Sequence, residues 1–237
     1  MIRAVRFVVA LVGFSLWHAS WVVLVGLLGV RHRPGGVYDR AGRAWASGIL
    51  RWCRIAVTVE GRERLDPRAP CVYIANHASF VDVLAILQEV PGTVRFVYKK
   101  GMSWIPILGW GMRFSRHIPI DRKRLTAAFA AYDEAAEYIR QGTCAVVFAE
   151  GTRSRDGRLK PFKKGPFVLA IAAQAPVVPV ACLGTLEILP KGSCAPKPGT
   201  VTLRIGEAIA TAGMTFGERE RLAERTREAI VELGVKQ

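Results

Sequence analysis

The sequence lacks a paired cysteine framework, and this restricts what the protein can be. Its 5 cysteines are odd in number and show no C-x-x-C spacing, so they do not form the paired framework of a small secreted domain. With 237 residues the chain is long enough for one sizeable hydrophobic core without disulfides. We therefore expect a reduced domain that faces the cytosol.

Acidic residues are also scarce. Asp and Glu total 19 against 34 Lys and Arg, a net charge of +15. This balance is typical of proteins that bind nucleic acid, an acidic membrane surface or a phosphorylated substrate. The chain has no recognised nucleic-acid motif and no strand rich in both aromatic and basic residues. Since 51% of the residues are hydrophobic, we expect an anionic membrane surface as partner and no nucleic acid.

The N-terminal segment from Phe7 to Val30 is almost entirely apolar. As one helix it would reach about 36 Å, enough to cross a bilayer. It is interrupted by two serines and His18 and weakened by Gly13 and Gly26, so two shorter helices inserted into one leaflet are equally consistent with the sequence. Basic residues are denser after this segment than before it, which predicts a domain on the cytoplasmic side of the membrane, the inner membrane in a bacterium.

The next segment, residues 39–54, has the pattern of an amphipathic helix. Trp45, Ile49 and Trp52 lie on one side, and four arginines lie on the other. This pattern predicts a helix on anionic lipid, although the tryptophan side could instead pack on the domain core. We predict a membrane-inserting and amphipathic segment over residues 1–54, followed by an α/β domain over residues 55–237. Removing the first segment should release the second from membranes.

Strand-like and helix-like segments alternate from Ile55 onward. This alternation predicts an α/β fold, with a mostly parallel central sheet flanked by helices. The predicted strands are Ile55–Glu60, Cys71–Ala75, Val94–Tyr98, Ile118–Ile120, Cys144–Ala149, Val177–Leu183 and Val201–Ile205. The predicted helices are Ser79–Glu89, Thr126–Gln141, Pro166–Gln174 and Thr215–Leu233.

Two polar segments each follow one of the predicted buried strands. They are residues 76–82, with the sequence N-H-A-S-F-V-D, and residues 150–155, with the sequence E-G-T-R-S-R. The carboxyl ends of parallel strands meet at one sheet edge, and ligands bind there in open α/β sheets. The two segments therefore predict a site at that edge.

The first polar segment offers a base, His77, and an acid, Asp82. On a continuous helix these residues would lie about 140° apart, so they can meet only if His77 precedes the helix and Asp82 is in its first turn. A competing interpretation is that Ser79 to Asp82 is a simple capping box. The chain has no G-x-S-x-G nucleophile, so a nucleophile would have to come from the substrate.

The second polar segment is suited to an anion. Its glycine permits a sharp turn, and its arginines match phosphate oxygens. Lys163 and Lys164 follow before a helix that begins with proline, and Arg122 follows another strand. These three basic segments could converge on one anion, or each could be an exposed basic loop. We assign His117 to structure and leave it out of the chemistry.

With these residues in place, the chain resembles the glycerolipid acyltransferases of the lysophosphatidic acid acyltransferase type. The family block N-H-x-x-x-x-D is matched by Asn76, His77 and Asp82, and the block ending in D-R by residues 120–122. The block F-P-E-G-T-R-S is matched over residues 148–154, with Ala149 in place of proline. A fourth, apolar block corresponds to residues 177–180.

The resemblance implies an enzyme that moves a fatty acyl group from acyl carrier protein or coenzyme A to the free hydroxyl of lysophosphatidic acid. His77 would be the base and Asp82 its partner. The substrate-binding residues would be Arg122, Glu150, Gly151, Thr152 and Arg153. No metal or redox cofactor is implied.

Two alternatives remain open from the sequence. The first is the same transfer to another lyso-lipid, such as lyso-ornithine lipid or a lysophospholipid with a larger head group. The second is a non-catalytic basic protein that binds membranes or nucleic acid.

Overall fold

The computed structural model describes residues 1–121 and 125–237, without the side chains of residues 125–130. All seven predicted strands are present, and their ends differ from the predicted ends by at most two residues. They are β1 (Ile55–Glu60), β2 (Val72–Ala75), β3 (Thr93–Lys99), β4 (Ile118–Ile120), β5 (Thr143–Phe148), β6 (Val177–Leu183) and β7 (Gly199–Ile205).

The strands form one sheet in the order β1-β7-β6-β2-β5-β3-β4. Neighbouring strands in the described part run parallel except for the antiparallel pair β6 and β7. β2 lies at the centre, and all four of its residues are buried. The central position of β2 explains why its sequence is continuously apolar, because a central parallel strand is covered on both faces. The predicted α/β fold with a mostly parallel sheet is confirmed.

Eight helices accompany the sheet in the described residues: α1 (Ile2–Leu27), α2 (Val37–Trp52), α3 (Val81–Glu89), α4 (Leu108–Phe114), α5 (Leu125–Arg140), α6 (Gly165–Ala173), α7 (Thr185–Ile188) and α8 (Arg219–Glu232). The four predicted helices of the α/β domain are all among them. Helices α4 and α7 were not predicted, because 7 and 4 residues are too few to show a helical period.

Two hydrophobic cores cover the two faces of the sheet. One contains buried residues of α2 and α3, together with Phe7 of α1. The other contains buried residues of α5, α6 and α8. The sheet is therefore the middle of three layers, and both of its faces are covered.

The apolar N-terminal segment is one continuous helix, so the alternative of two shorter helices is wrong. His18, which made the segment look interrupted, donates its Nδ1–H to the Phe14 carbonyl at 2.9 Å. Helix α1 lies closely against two other helices. The Phe14 ring occupies the space next to Gly48 of α2, and Ala19 lies against Gly111 of α4. One face of α1 is therefore covered by protein.

Helix α2 forms as predicted, and two of the three apolar side chains named above pack on protein. Ile49 is fully buried in the core. Trp45 donates its indole N–H to the Ser15 hydroxyl at 3.0 Å and packs edge-on against Phe80. The lipid-facing interpretation is therefore wrong for Ile49 and Trp45, which pack on protein. Trp52 is 45% exposed, and its indole N–H donates to the Arg6 carbonyl at 3.0 Å. Sequence periodicity does not distinguish packing on protein from contact with lipid, because either one would cover the same apolar stripe of the helix.

The basic side of α2 also makes contacts with the domain. Arg43 donates hydrogen bonds to the carbonyls of Val90 at 2.5 Å and Gly92 at 2.6 Å, just beyond α3. A chain without residues 1–54 would lose these bonds and uncover one core, so the deletion does not test membrane attachment alone. The division of the chain at residue 54 stays a prediction.

Candidate active site

The two polar segments emerge side by side from the sheet. β2 pairs with β5 in parallel, and Ala75 lies opposite Phe148 as the last residue of each strand. Residues 76–82 and 150–155 therefore begin at the same sheet edge. This confirms the predicted placement, which followed from the two apolar runs that precede them.

Asn76 fixes the first of these segments to a third strand. Its side-chain amide donates to the Cys182 carbonyl at 3.1 Å, and its side-chain oxygen accepts the Cys182 N–H at 2.7 Å. Asn76 thus extends the attachment of β2 to β6 beyond the end of β2. This pair of hydrogen bonds fixes Asn76, and therefore the position at which the backbone of His77 begins.

His77 precedes α3, and Asp82 lies in the first turn of that helix, which is the arrangement that the spacing required. His77 Nδ1 and Asp82 Oδ2 are 2.8 Å apart. The same Oδ2 accepts the backbone N–H groups of Ala78 and Ser79, each at 2.8 Å. One buried carboxylate oxygen therefore contacts the imidazole and also accepts two backbone N–H groups. The complete capping box is not formed, because the Ser79 hydroxyl accepts the Val81 N–H instead of the Asp82 N–H.

The backbone of His77 is held by the second polar segment. Its N–H donates to Glu150 Oε1 at 2.7 Å, and its carbonyl accepts the Ser154 N–H at 2.6 Å. The imidazole stacks on the Phe148 ring, with centroids 3.9 Å apart and planes 15° apart. Residues at the end of β5 thus fix both the peptide and the ring of His77.

One ring nitrogen of His77 is left for chemistry. Nδ1 is occupied by Asp82, whereas Nε2 makes no hydrogen bond within the described residues. The side chain is 16% exposed, so a small group can reach it. A histidine with one nitrogen bonded to a buried carboxylate and the other open is the arrangement of a general base.

Glu150 does not have the position of a substrate-binding residue. Its carboxylate is buried, with Oε1 on the His77 N–H and Oε2 on the Lys160 N–H at 3.1 Å. Burial raises the pKa of this carboxyl, and the two N–H groups oppose that shift. The assignment of Glu150 to substrate binding therefore needs correction, because both of its oxygens serve the backbone.

The remaining residues of the second segment form its turn and its exposed surface. Gly151 has a φ of 73°, a left-handed conformation that favours glycine. Thr152 is exposed and Arg153 is half-buried. Within the described residues, the guanidinium of Arg153 makes no ion pair or hydrogen bond, so it is available to an anion. Arg122 lies outside the described residues.

Two lysines that the sequence did not indicate lie at this segment. The Lys160 ammonium donates a hydrogen bond to the Arg153 carbonyl at 2.8 Å, and the Lys191 ammonium lies 3.2 Å from Thr152 Oγ1. Lys191 belongs to a loop distant in sequence, so no local spacing could have revealed it. Lys164, by contrast, forms an ion pair with Glu220 on α8, and its contribution to the anion site stays a prediction.

His117 has a structural role, as predicted. Its Nδ1 accepts the Phe96 N–H at 3.0 Å. Burial, with a smaller effect of Arg95, lowers its pKa to about 3, so the imidazole is neutral at physiological pH. Among the described residues, no three His, Cys, Asp or Glu side chains are grouped as a metal site requires.

The fold and the site together define a class of protein. An Asp-oriented histidine beside a cationic turn, at the carboxyl edge of a mostly parallel sheet, is suited to activate a hydroxyl on a phosphorylated acceptor. Residues 56–183 match the family model named Acyltransferase. The chain therefore belongs to the acyltransferase family, which confirms the resemblance based on its motifs.

Several named proteins are similar to this chain. The 1-acyl-sn-glycerol-3-phosphate acyltransferase BAT2 of Brassica napus is 35% identical over 182 residues, which are 73% of this chain and 53% of that protein. The enzyme of the same name from Limnanthes douglasii is 35% identical over 214 residues, 89% of this chain and 74% of that protein. The human alpha form is 32% identical over 178 residues, 75% of this chain and 63% of that protein.

A solved structure shows the same fold. The crystal structure of the 1-acyl-sn-glycerophosphate acyltransferase PlsC from Thermotoga maritima is similar with a TM-score of 0.80 and 27% sequence identity. The likeness covers 100% of this chain and 96% of that one. The chain spans about half the length of the Brassica relative and about three quarters of the Limnanthes relative.

Proposed function

We propose that this enzyme transfers a fatty acyl group from an acyl thioester to the free hydroxyl of lysophosphatidic acid, which gives phosphatidic acid for phospholipid synthesis. The observation that carries the proposal is the contact of His77 Nδ1 with Asp82 at 2.8 Å, next to the cationic turn at Arg153. The names of the relatives point to the same acceptor.

In the proposed reaction, His77 acts as general base. Its Nε2 removes the proton from the acceptor hydroxyl, and the oxygen attacks the thioester carbonyl carbon. The carbon–sulfur bond then breaks, and the leaving thiolate takes the proton from the imidazolium. Asp82 holds the Nδ1–H in place and stabilises the positive ring while it exists. Such general-base assistance contributes about 100-fold to 10,000-fold. The scheme needs no metal or redox cofactor.

The acceptor phosphate would bind at the turn of the second segment. Arg153 provides a guanidinium without an ion pair among the described residues, and Gly151 and Thr152 shape the turn that carries it. Arg122 takes part by resemblance to the family. The acyl donor is either acyl carrier protein or acyl-coenzyme A.

A membrane is the third proposed partner. By length and composition alone, α1 is able to cross a bilayer. Its uncovered face exposes large apolar side chains, and those of the neighbouring segment 102–110 are exposed as well. They include Val5, Val8, Val9, Val12, Leu16, Trp17, Trp21 and Leu24 of α1, and Trp104, Ile105 and Trp110 nearby. A patch of this kind on a basic protein fits an anionic lipid surface.

We propose that α1 lies in one leaflet with the catalytic domain on the cytoplasmic side. The opposite face of α1 packs on α2 and α4, so the domain lies along the helix and not at one end of it. The double substitution Trp17→Glu and Trp21→Glu should abolish pelleting with anionic vesicles and preserve thermal unfolding. Unchanged pelleting of this folded variant would contradict the proposal.

The activity is tested with purified full-length protein in detergent, both donors and a panel of acceptors. We expect acyl transfer to lysophosphatidic acid and little transfer to monoacylglycerol, which lacks the phosphate. Arg153→Ala should raise the KM for lysophosphatidic acid at least about tenfold, because a charged hydrogen bond is lost. Preference for lyso-ornithine lipid or a lysophospholipid with a larger head group would favour that alternative.

A further inference from the structure

The chain that follows β6 passes over the sheet edge that carries His77. After α7 it is fixed at the buried Leu189, whose carbonyl accepts the Ser79 hydroxyl at 2.7 Å. The Lys197 N–H donates to the Ile188 carbonyl at 2.9 Å, which closes the loop of residues 189–197. This loop is therefore bonded directly to the segment that contains His77.

Lys191 extends from this loop to the turn of the second polar segment. Its ammonium lies 3.2 Å from Thr152 Oγ1 and 3.5 Å from the Arg153 carbonyl. The Lys160 ammonium donates to the same carbonyl at 2.8 Å. Two lysines distant from each other in sequence thus meet at the backbone of Arg153.

The cationic side chains at this place form no ion pairs within the described residues, and the Glu150 carboxylate that attracts Lys160 has both oxygens on backbone N–H groups. Arg153, Arg155, Lys160 and Lys191 form no ion pair with any carboxylate of the described residues. Desolvation, followed by the charges of Lys160, Arg155 and Arg153, lowers the pKa of Lys191. Like charges this close repel one another, and a bound dianion removes that repulsion.

We propose that Lys191 is a further binding residue for the acceptor, and that it contacts the same phosphate as Arg153. The inference rests on the proposed function. A phosphate monoester supplies two negative charges and several acceptor oxygens, which an ammonium and a guanidinium can share. The hydrogen bond of Ser79 attaches the loop of Lys191 to the segment that contains His77. The phosphate-binding site is therefore held at a fixed position relative to the base.

The test compares Lys191→Ala with Lys197→Ala in the full-length enzyme. Lys197 is an exposed lysine of the same loop, and its side chain makes no hydrogen bond or ion pair within the described residues. The KM is measured for lysophosphatidic acid, monoacylglycerol and the acyl donor. We expect Lys191→Ala to raise the KM for lysophosphatidic acid about tenfold, from the loss of one charged contact.

The other parameters should stay near those of the wild type. The kcat, the KM for the donor and the weak transfer to monoacylglycerol should change less than about twofold in Lys191→Ala. Lys191→Arg should recover most of the lost affinity, and Lys197→Ala should match the wild type.

Two results would overturn the proposed role of Lys191 without overturning the proposed function. One is an unchanged KM for lysophosphatidic acid in Lys191→Ala while the wild type is active. The other is a raised KM for the donor instead, which would place a donor phosphate at Lys191. A wild-type enzyme that does not use lysophosphatidic acid would overturn the proposed function as well, so the two failures are distinguishable.

Discussion

Glu150→Gln tests whether Glu150 positions His77 or binds the substrate. Both carboxylate oxygens accept backbone N–H groups, from His77 at 2.7 Å and from Lys160 at 3.1 Å. A glutamine offers only one oxygen, so its amide NH2 would face one of these two donors. Losing a hydrogen bond to a charged group and leaving a buried N–H unpaired should cost about 2 to 4 kcal/mol of unfolding free energy.

The substitution should also displace His77, because Glu150 holds its backbone N–H, and the effect on activity follows from this displacement. A displacement of about 1 Å at a reacting group can lower the rate about 100-fold. We therefore expect Glu150→Gln to lower kcat about 100-fold, with the KM for lysophosphatidic acid within about threefold of the wild type. Steady-state kinetics and urea unfolding measure the two effects, and Glu63→Gln, at a side chain 75% exposed, is the control. A raised KM with normal kcat would show that Glu150 contacts the acceptor.

Three further predictions address other parts of the structure. Asp82→Asn should lower kcat about 1,000-fold, because His77 loses the carboxylate that orients it and stabilises its protonated ring; a loss below tenfold would contradict this. His117 has a folded pKa of about 3, so the unfolded chain binds more protons between that pH and about 6.5. Stability should therefore fall as pH falls through this window, by up to about 1.4 kcal/mol per pH unit, and His117→Asn should flatten the slope in unfolding titrations. Deletion of residues 1–54 should abolish cooperative unfolding, because Ile49 is part of the core; a folded truncated domain in calorimetry would contradict that packing.

Much of the fold and of the catalytic pair could be predicted from the sequence, for identifiable reasons. Apolar runs bounded by polar residues gave the strands, and a parallel sheet must bring the ends of β2 and β5 to one edge. The helix geometry required His77 to precede α3, and it does. These features depend on local pattern and on chain direction, which a single sequence contains.

The features that sequence reasoning missed depend on contacts between residues that are far apart in the sequence. The stripe on α2 was recognised, but periodicity does not say whether protein or lipid covers Ile49. Glu150 was grouped with the substrate because it lies in a motif, although its partners are backbone N–H groups on separate segments. Lys191 reaches the site through a loop fixed by Leu189, which no local spacing reveals.

The central claim, that His77 is the general base of an acyl transfer, is tested most directly by replacing that residue. Acyl transfer to lysophosphatidic acid is measured for the wild type and for His77→Ala, with near-ultraviolet circular dichroism to compare their folding. We predict that His77→Ala folds like the wild type and loses about 100-fold to 10,000-fold or more of the turnover. A folded His77→Ala enzyme with near-normal turnover would contradict the account.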